Sequence, residues 1–101
     1  MDRRRKPLSP HEQLLLRQAM VDMVAQHPEW DVPKMLKEIR KTLHLTTHDM
    51  ARVGRISEPA LRNLEAGRSS PTLSTVEALL RPLGLKLAVI QVVRGEEGAG
   101  S

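Results

Sequence analysis

Residues 46 to 67 read TTHDMARVGRISEPALRNLEAG, and the fold turns on this stretch. Thr46 stands three residues before Asp49, the spacing of a capping box in which each side chain satisfies the other's backbone N–H. Met50 and Val53 supply the inner side of a short helix, Thr47 to Val53, that Gly54-Arg55-Ile56 interrupts. Ser57 caps a following helix, Glu58 to Ala66, with Leu61 and Leu64 inward. Gly67 can end it, because a residue without Cβ enters the left-handed region without strain. Two short helices joined by a turn of three or four residues, apolar on their facing sides, are therefore expected.

Upstream, Asp31 and Pro33 announce a helix whose inner positions are Met35, Leu36, Ile39 and Leu43. Before it, His27-Pro28-Glu29-Trp30 breaks an earlier helix that Ser9, Pro10 and Glu12 start. That first helix runs to about Gln26 and places Leu15, Leu16, Ala19, Met20, Met23 and Val24 on one stripe. Downstream, Ser74 with Glu77 opens a fifth helix that turns Val76, Leu79, Leu80 and Leu83 inward and stops at Gly84. Pro82 removes one of its hydrogen bonds and distorts the last turn.

Leu85 to Val93 changes character, since LKLAVIQVV is β-branched and largely apolar. It reads as a strand carrying Leu85, Leu87, Val89, Ile90 and Val92. A lone strand leaves both edges unpaired, and the remedy is the same strand of a second copy, antiparallel about a two-fold axis. The expected class is all-α, five helices with one C-terminal strand pairing between subunits. The divisions are a disordered basic arm at 1–8, the N-terminal helix at 9–27, the two-helix unit and its supports at 31–84, the dimerisation strand at 85–94 and a flexible tail at 95–101.

Composition narrows the function. The 101 residues carry 16 Lys and Arg against 12 Asp and Glu, a net charge of +4, and a pI near 10.1. The charge is segregated: residues 34 to 68 hold eight cations against four carboxylates, whereas residues 9 to 31 hold one cation against four. The electropositive part takes in the two short helices together with the helix before them, as a polyanion partner would require. The absence of Cys excludes thiol chemistry and disulfides and fits a reducing compartment. No apolar run approaches bilayer length, and Arg3, Arg4, Arg5 and Lys6 lead into Pro7 rather than a hydrophobic core, so a soluble, cytoplasmic protein without a membrane partner is expected.

Two short helices around a tight turn have helix-turn-helix spacing, in which the first braces against the DNA backbone and the second points its N-terminal residues into the major groove. Along residues 34 to 84 the chain resembles the XRE, lambda-repressor-like helix-turn-helix family. The matching positions are Ile39-Arg40, Leu45, Met50-Ala51, Ile56-Ser57, Leu61, Leu64-Glu65-Ala66-Gly67-Arg68, Pro71-Thr72-Leu73 and Leu83-Gly84. The resemblance implies that Asn63, Glu58, Pro59 and Arg62 read bases. An Asn amide can bond an adenine edge with two hydrogen bonds, and a Glu can accept from cytosine. It implies phosphate contacts by Thr47, and by Arg55, Arg62 and Arg68 with Lys37 or Lys41. Arg40 and Glu65 match a structural salt bridge.

Four positions depart from the family pattern. Arg55 stands where Gly is favoured, so the turn uses Gly54 or a less common backbone geometry. Glu58 and Pro59 bring a negative charge and a side chain without donors to the groove, and Ala66 replaces a small polar residue. The segment 85–94 is similar to the C-terminal extension of Hip- and Hig-type antitoxins. That similarity implies a homodimer on a palindromic double-stranded operator, a cognate toxin as a further partner, and repression of the protein's own promoter. The first rival is a protein-binding adaptor of the same fold with little DNA readout.

The remaining motifs have plainer readings. His44 and His48 lack a third ligand and are read as solvent-facing, with no metal site. Ser57 is explained as a cap, and no base lies at catalytic spacing, so the chain is not read as an enzyme and needs no cofactor. Arg3 to Lys6 are a solvated tail or a minor-groove arm. Trp30, the sole aromatic residue of the Phe, Tyr and Trp class, is expected to plug the core over the first helix.

Overall fold

The computed structural model describes residues 8–91. Five helices follow in order: α1 Pro10–Gln26, α2 Val32–Thr42, α3 Thr47–Gly54, α4 Glu58–Glu65 and α5 Leu73–Leu80, the last continued by a 3-10 turn at Arg81–Leu83. No strand occurs among the described residues. Residues 1–7 of the expected arm, residues 92–94 of the expected strand and the tail at 95–101 lie outside them.

The starts are set by local chemistry. Ser9 Oγ accepts from the Glu12 N–H at 3.1 Å while Glu12 Oε1 accepts from the Ser9 N–H at 2.8 Å. Thr46 and Asp49 make the same reciprocal pair at 3.0 and 3.1 Å. Asp31 and Ser57 cap α2 and α4. In α5 the cap is Thr72, which accepts from the Thr75 N–H at 3.1 Å, and not Ser74. Both hydroxyls precede the same apolar run, and the packing of Val76, Leu79 and Leu80 admits a start one half-turn earlier. Pro82 distorts the end of α5 as expected, converting it to the 3-10 turn that Gly84 closes at φ 79°.

Every helix contributes to one aliphatic core, made of Met20, Leu36, Ile39, Met50, Ala51, Leu61, Leu64, Val76, Leu79 and Leu80. Among the described residues no polar or charged residue is buried. α3 packs on both α4 and α5, while α2 bridges α1 and α4. Gly54 is part of α3 and is buried, and a Cβ there would overlap the Leu79 side chain, so its role is close helix approach. The left-handed turn conformation falls instead on Arg55, at φ 57° and ψ 43°. Of the two open geometries for the turn, the less common one is realised.

Two further expectations require correction. The α1 stripe is only partly covered: Met20 is buried and Met23 and Val24 pack on the core, but Leu15 and Ala19 face solvent, as do Leu14 and Val21. Trp30 does not plug the core. Its ring stacks on His27 with centroids 3.9 Å apart and planes 1° from parallel, and Lys34 Nζ lies 5.3 Å from its centroid. A Pro-containing link of five residues holds the indole against its own neighbours instead of over α1.

Leu85–Gln91 has no regular secondary structure. Leu85 and Leu87 pack against the core, whereas Val89 is fully exposed and Ile90 largely so. The alternating inward phase thus outruns the core at Val89. A strand requires a hydrogen-bonding neighbour, and a single chain offers this segment none.

Candidate nucleic-acid interface

The face of α4 away from Leu61 and Leu64 carries the residues singled out in sequence. Pro59, Arg62 and Asn63 are exposed and Glu58 is half-exposed. Burial of Leu61 and Leu64 against α2 and α3 fixes the rotation of the helix about its own axis, so this face is held outward.

The rear of α4 is anchored by Arg40. Its Nε donates to Glu65 Oε2 at 2.8 Å, its Nη2 to Glu65 Oε1 at 3.0 Å, and its Nη1 to the Leu45 carbonyl at 3.2 Å. Side-chain exposures of 16% and 7% put this pair largely out of water, where a two-point geometry sets orientation as well as attraction. It ties α2, the loop after it and the end of α4 into one unit.

At the front, Glu58 gathers three neighbours. Thr47 Oγ1 donates to Glu58 Oε2 at 3.1 Å, Arg62 Nη1 lies 3.6 Å from the same oxygen, and His48 Nδ1 lies 3.9 Å from Oε1. The carboxylate sits in the first turn of α4, where the helix dipole favours negative charge. Thr47, expected as a phosphate contact, thus spends its only hydroxyl proton inside the protein. His48 escaped the sequence reading as a member of this group, because nothing in the spacing of residues 48 and 58 signals that the turn folds one over the other.

Asn63 meets Arg68, whose Nε donates to Asn63 Oδ1 at 3.1 Å. Arg55 projects from the turn, and Lys37 and Lys41 are exposed on α2 one helical turn apart. Lys37 lines a shallow cleft with Glu65, Ala66 and Gly67, to which Lys34 also belongs. Lys34 was legible, since it stands three residues before Lys37 on the same helix. Exposed cations thus stand on the turn at Arg55, on α2 at Lys37 and Lys41, and three residues beyond α4 at Arg68. Among the described residues no group of His, Asp and Glu is arranged to hold a metal, and no helix is long and apolar enough to cross a membrane.

A helix-turn-helix family model matches residues 36–90, more than half of the chain. The chain belongs to the XRE, lambda-repressor-like helix-turn-helix family. No curated protein and no solved structure matches it. The XRE match begins inside α2, covers the whole α3–turn–α4 unit and ends at Ile90, so α1 lies ahead of it. Members of the XRE family are DNA-binding transcriptional regulators, and this regulator class is the one the match supports for the chain.

Proposed function

We propose that the chain is a sequence-specific repressor that grips a palindromic operator as a homodimer, placing one α4 in each of two successive major grooves. The observation that carries this reading is the outward face of α4, with Asn63, Glu58, Pro59 and Arg62 accessible, backed by the Arg40–Glu65 pair and accompanied by these exposed cations. Asn63, Glu58 and Arg62 offer polar groups to base edges, and Pro59 offers apolar contact. Arg55, Arg68, Lys37 and Lys41 neutralise phosphates, with Thr47 joining once its bond to Glu58 is exchanged.

The dimer is formed by pairing of the segment that carries Leu85, Leu87, Val89, Ile90 and Val92. The full exposure of Val89 in the single chain supports this, because an apolar residue continuing an inward phase calls for a cover. We further propose that the protein is the antitoxin of a type II toxin–antitoxin pair that represses its own operon in the cytoplasm. The apolar segment after α5 and an added α1 with exposed Leu14, Leu15 and Val21 support that assignment. The same apolar side of α1 also supports the rival, a protein-binding adaptor with little DNA readout.

Titration of the protein against its own upstream DNA over a salt series tests the choice. A repressor gives a log–log slope of about −0.9 for each phosphate neutralised, hence about −7 for a dimer that uses all four of these cations in each half-site. Weak binding to every duplex, flat in salt, establishes the adaptor. For the antitoxin, co-purification with the product of an adjacent short reading frame is the expected result.

A further inference from the structure

The chain leaves α4 through a closure that fixes one side chain. Gly67 is left-handed at φ 73°, its N–H bonds the Leu64 carbonyl at 3.0 Å, and the Arg68 N–H bonds the Asn63 carbonyl at 2.9 Å. These are the paired bonds of a Schellman ending. A Cβ on Gly67 would meet nothing within 4 Å, so glycine is needed there for conformation alone. The closure lays Arg68 alongside Asn63, and the Arg68 Nε then donates to Asn63 Oδ1 at 3.1 Å.

A guanidinium nitrogen can only donate, so the amide atom it meets is the oxygen, and the Nδ2 donors lie at the other end of the amide. We infer that Arg68 is a positioning residue for Asn63: it fixes which end of that amide α4 offers to a base edge. The inference rests on the DNA-binding reading above and deepens it. An unrestrained Asn rotates to present either end and tolerates donors and acceptors alike. With Nδ2 forward, Asn63 favours bases that show a major-groove acceptor, namely guanine, adenine and thymine, and discriminates against cytosine, which shows only its amino group. The terminal nitrogens of Arg68 remain for a phosphate, so one residue both attracts the duplex and sets its reader.

The test uses the full chain and a random-sequence duplex pool, from which the wild type enriches a preferred site. Duplexes with each of the four base pairs at each step of that site are then compared for the wild type, Arg68→Lys, Asn63→Ala and the double variant. Lysine keeps the charge and lacks the Nε–H. Arg68→Lys is expected to retain the salt slope and lose about three- to tenfold of discrimination against cytosine at one step, the loss that Asn63→Ala shows at the same step. The double variant should lose no more than either. Unchanged preference in Arg68→Lys, or losses that add, overturns the inference while leaving DNA binding intact. Nuclear magnetic resonance of the free protein supplies a readout that needs no duplex: slow exchange of the Arg68 Hε that vanishes in Asn63→Ala supports the clamp, and fast exchange in the wild type overturns it. A pool from which nothing is enriched rejects the repressor itself, and this inference with it.

Discussion

Arg40 and Glu65, twenty-five residues apart, meet through two hydrogen bonds of 2.8 and 3.0 Å on the concealed side of α4. The pair joins α2 to the end of α4. Each charge has given up most of its water, so each depends on the other for compensation.

Removing one partner should therefore cost more than the pair contributes. Glu65→Leu or Arg40→Met is expected to lower unfolding stability by about 2–4 kcal/mol, and the double variant Arg40→Met with Glu65→Leu by less than either alone. Urea unfolding followed by circular dichroism measures this; additive losses would show that the two charges are not coupled.

Gly54 and Leu79 set the spacing between α3 and α5. Gly54→Ala inserts a methyl group where the Leu79 side chain already sits and should destabilise by about 1–3 kcal/mol. Pairing it with Leu79→Ala, which vacates that space, should restore less than the methyl costs alone, since the leucine is itself fully buried. Thermal melts of the three variants give the comparison.

Arg55 holds a left-handed conformation that costs a side-chain-bearing residue about 1–2 kcal/mol. Arg55→Gly relieves that strain at the expense of a more disordered unfolded chain, for a net change of about 0–1 kcal/mol toward greater stability. If Arg55 neutralises a phosphate in each half-site, the same variant should bind DNA more weakly with a salt slope shallower by about two for the dimer. A variant that is less stable, or whose slope is unchanged, contradicts the corresponding assignment.

Glu29 is the described residue whose titration stands apart. The hydrogen bond from His27 Nδ1 at 2.9 Å holds its carboxyl below the ordinary value, assisted by its own backbone N–H. A lowered folded-state pKa means the interaction is fully present above the ordinary carboxylate range and is lost as pH falls through the folded value. The Glu29 carboxyl carbon should accordingly titrate below the ordinary range in the wild type and move back up in His27→Ala. No shift between the two proteins would remove the pairing.

Val89→Asp places a charge on a residue that is wholly exposed in the single chain, so the fold of one copy should be unaffected. Sedimentation should show a dimer in the wild type and a monomer in the variant. An identical mass for both would end the strand-pairing proposal.

Sequence and structure agree where causes are local. The capping pairs Ser9–Glu12 and Thr46–Asp49 involve residues three apart, so the chain declares them directly. The Arg40–Glu65 pair and the outward residues of α4 were legible through family resemblance, which carries long-range information that periodicity lacks. What stayed hidden depends on how the backbone turns and packs, which spacing does not display. The choice of Thr72 over Ser74, the His48–Glu58 approach and the Arg68–Asn63 bond all arise from how one turn lies over another. Trp30 misled because its size suggests interior placement, whereas a neighbouring imidazole provides a flat partner at the surface.

Met20 comes from the helix that lies outside the family match, yet no part of it reaches solvent, and Arg17 of the same helix donates to the Leu83 carbonyl at 3.1 Å. The module that a family boundary would excise is thus not the module that folds. Trimmed to its matched residues, the regulator would carry an unfilled hollow and a loosened final turn, so α1 serves as a cork and a buckle for a machine whose working parts lie elsewhere.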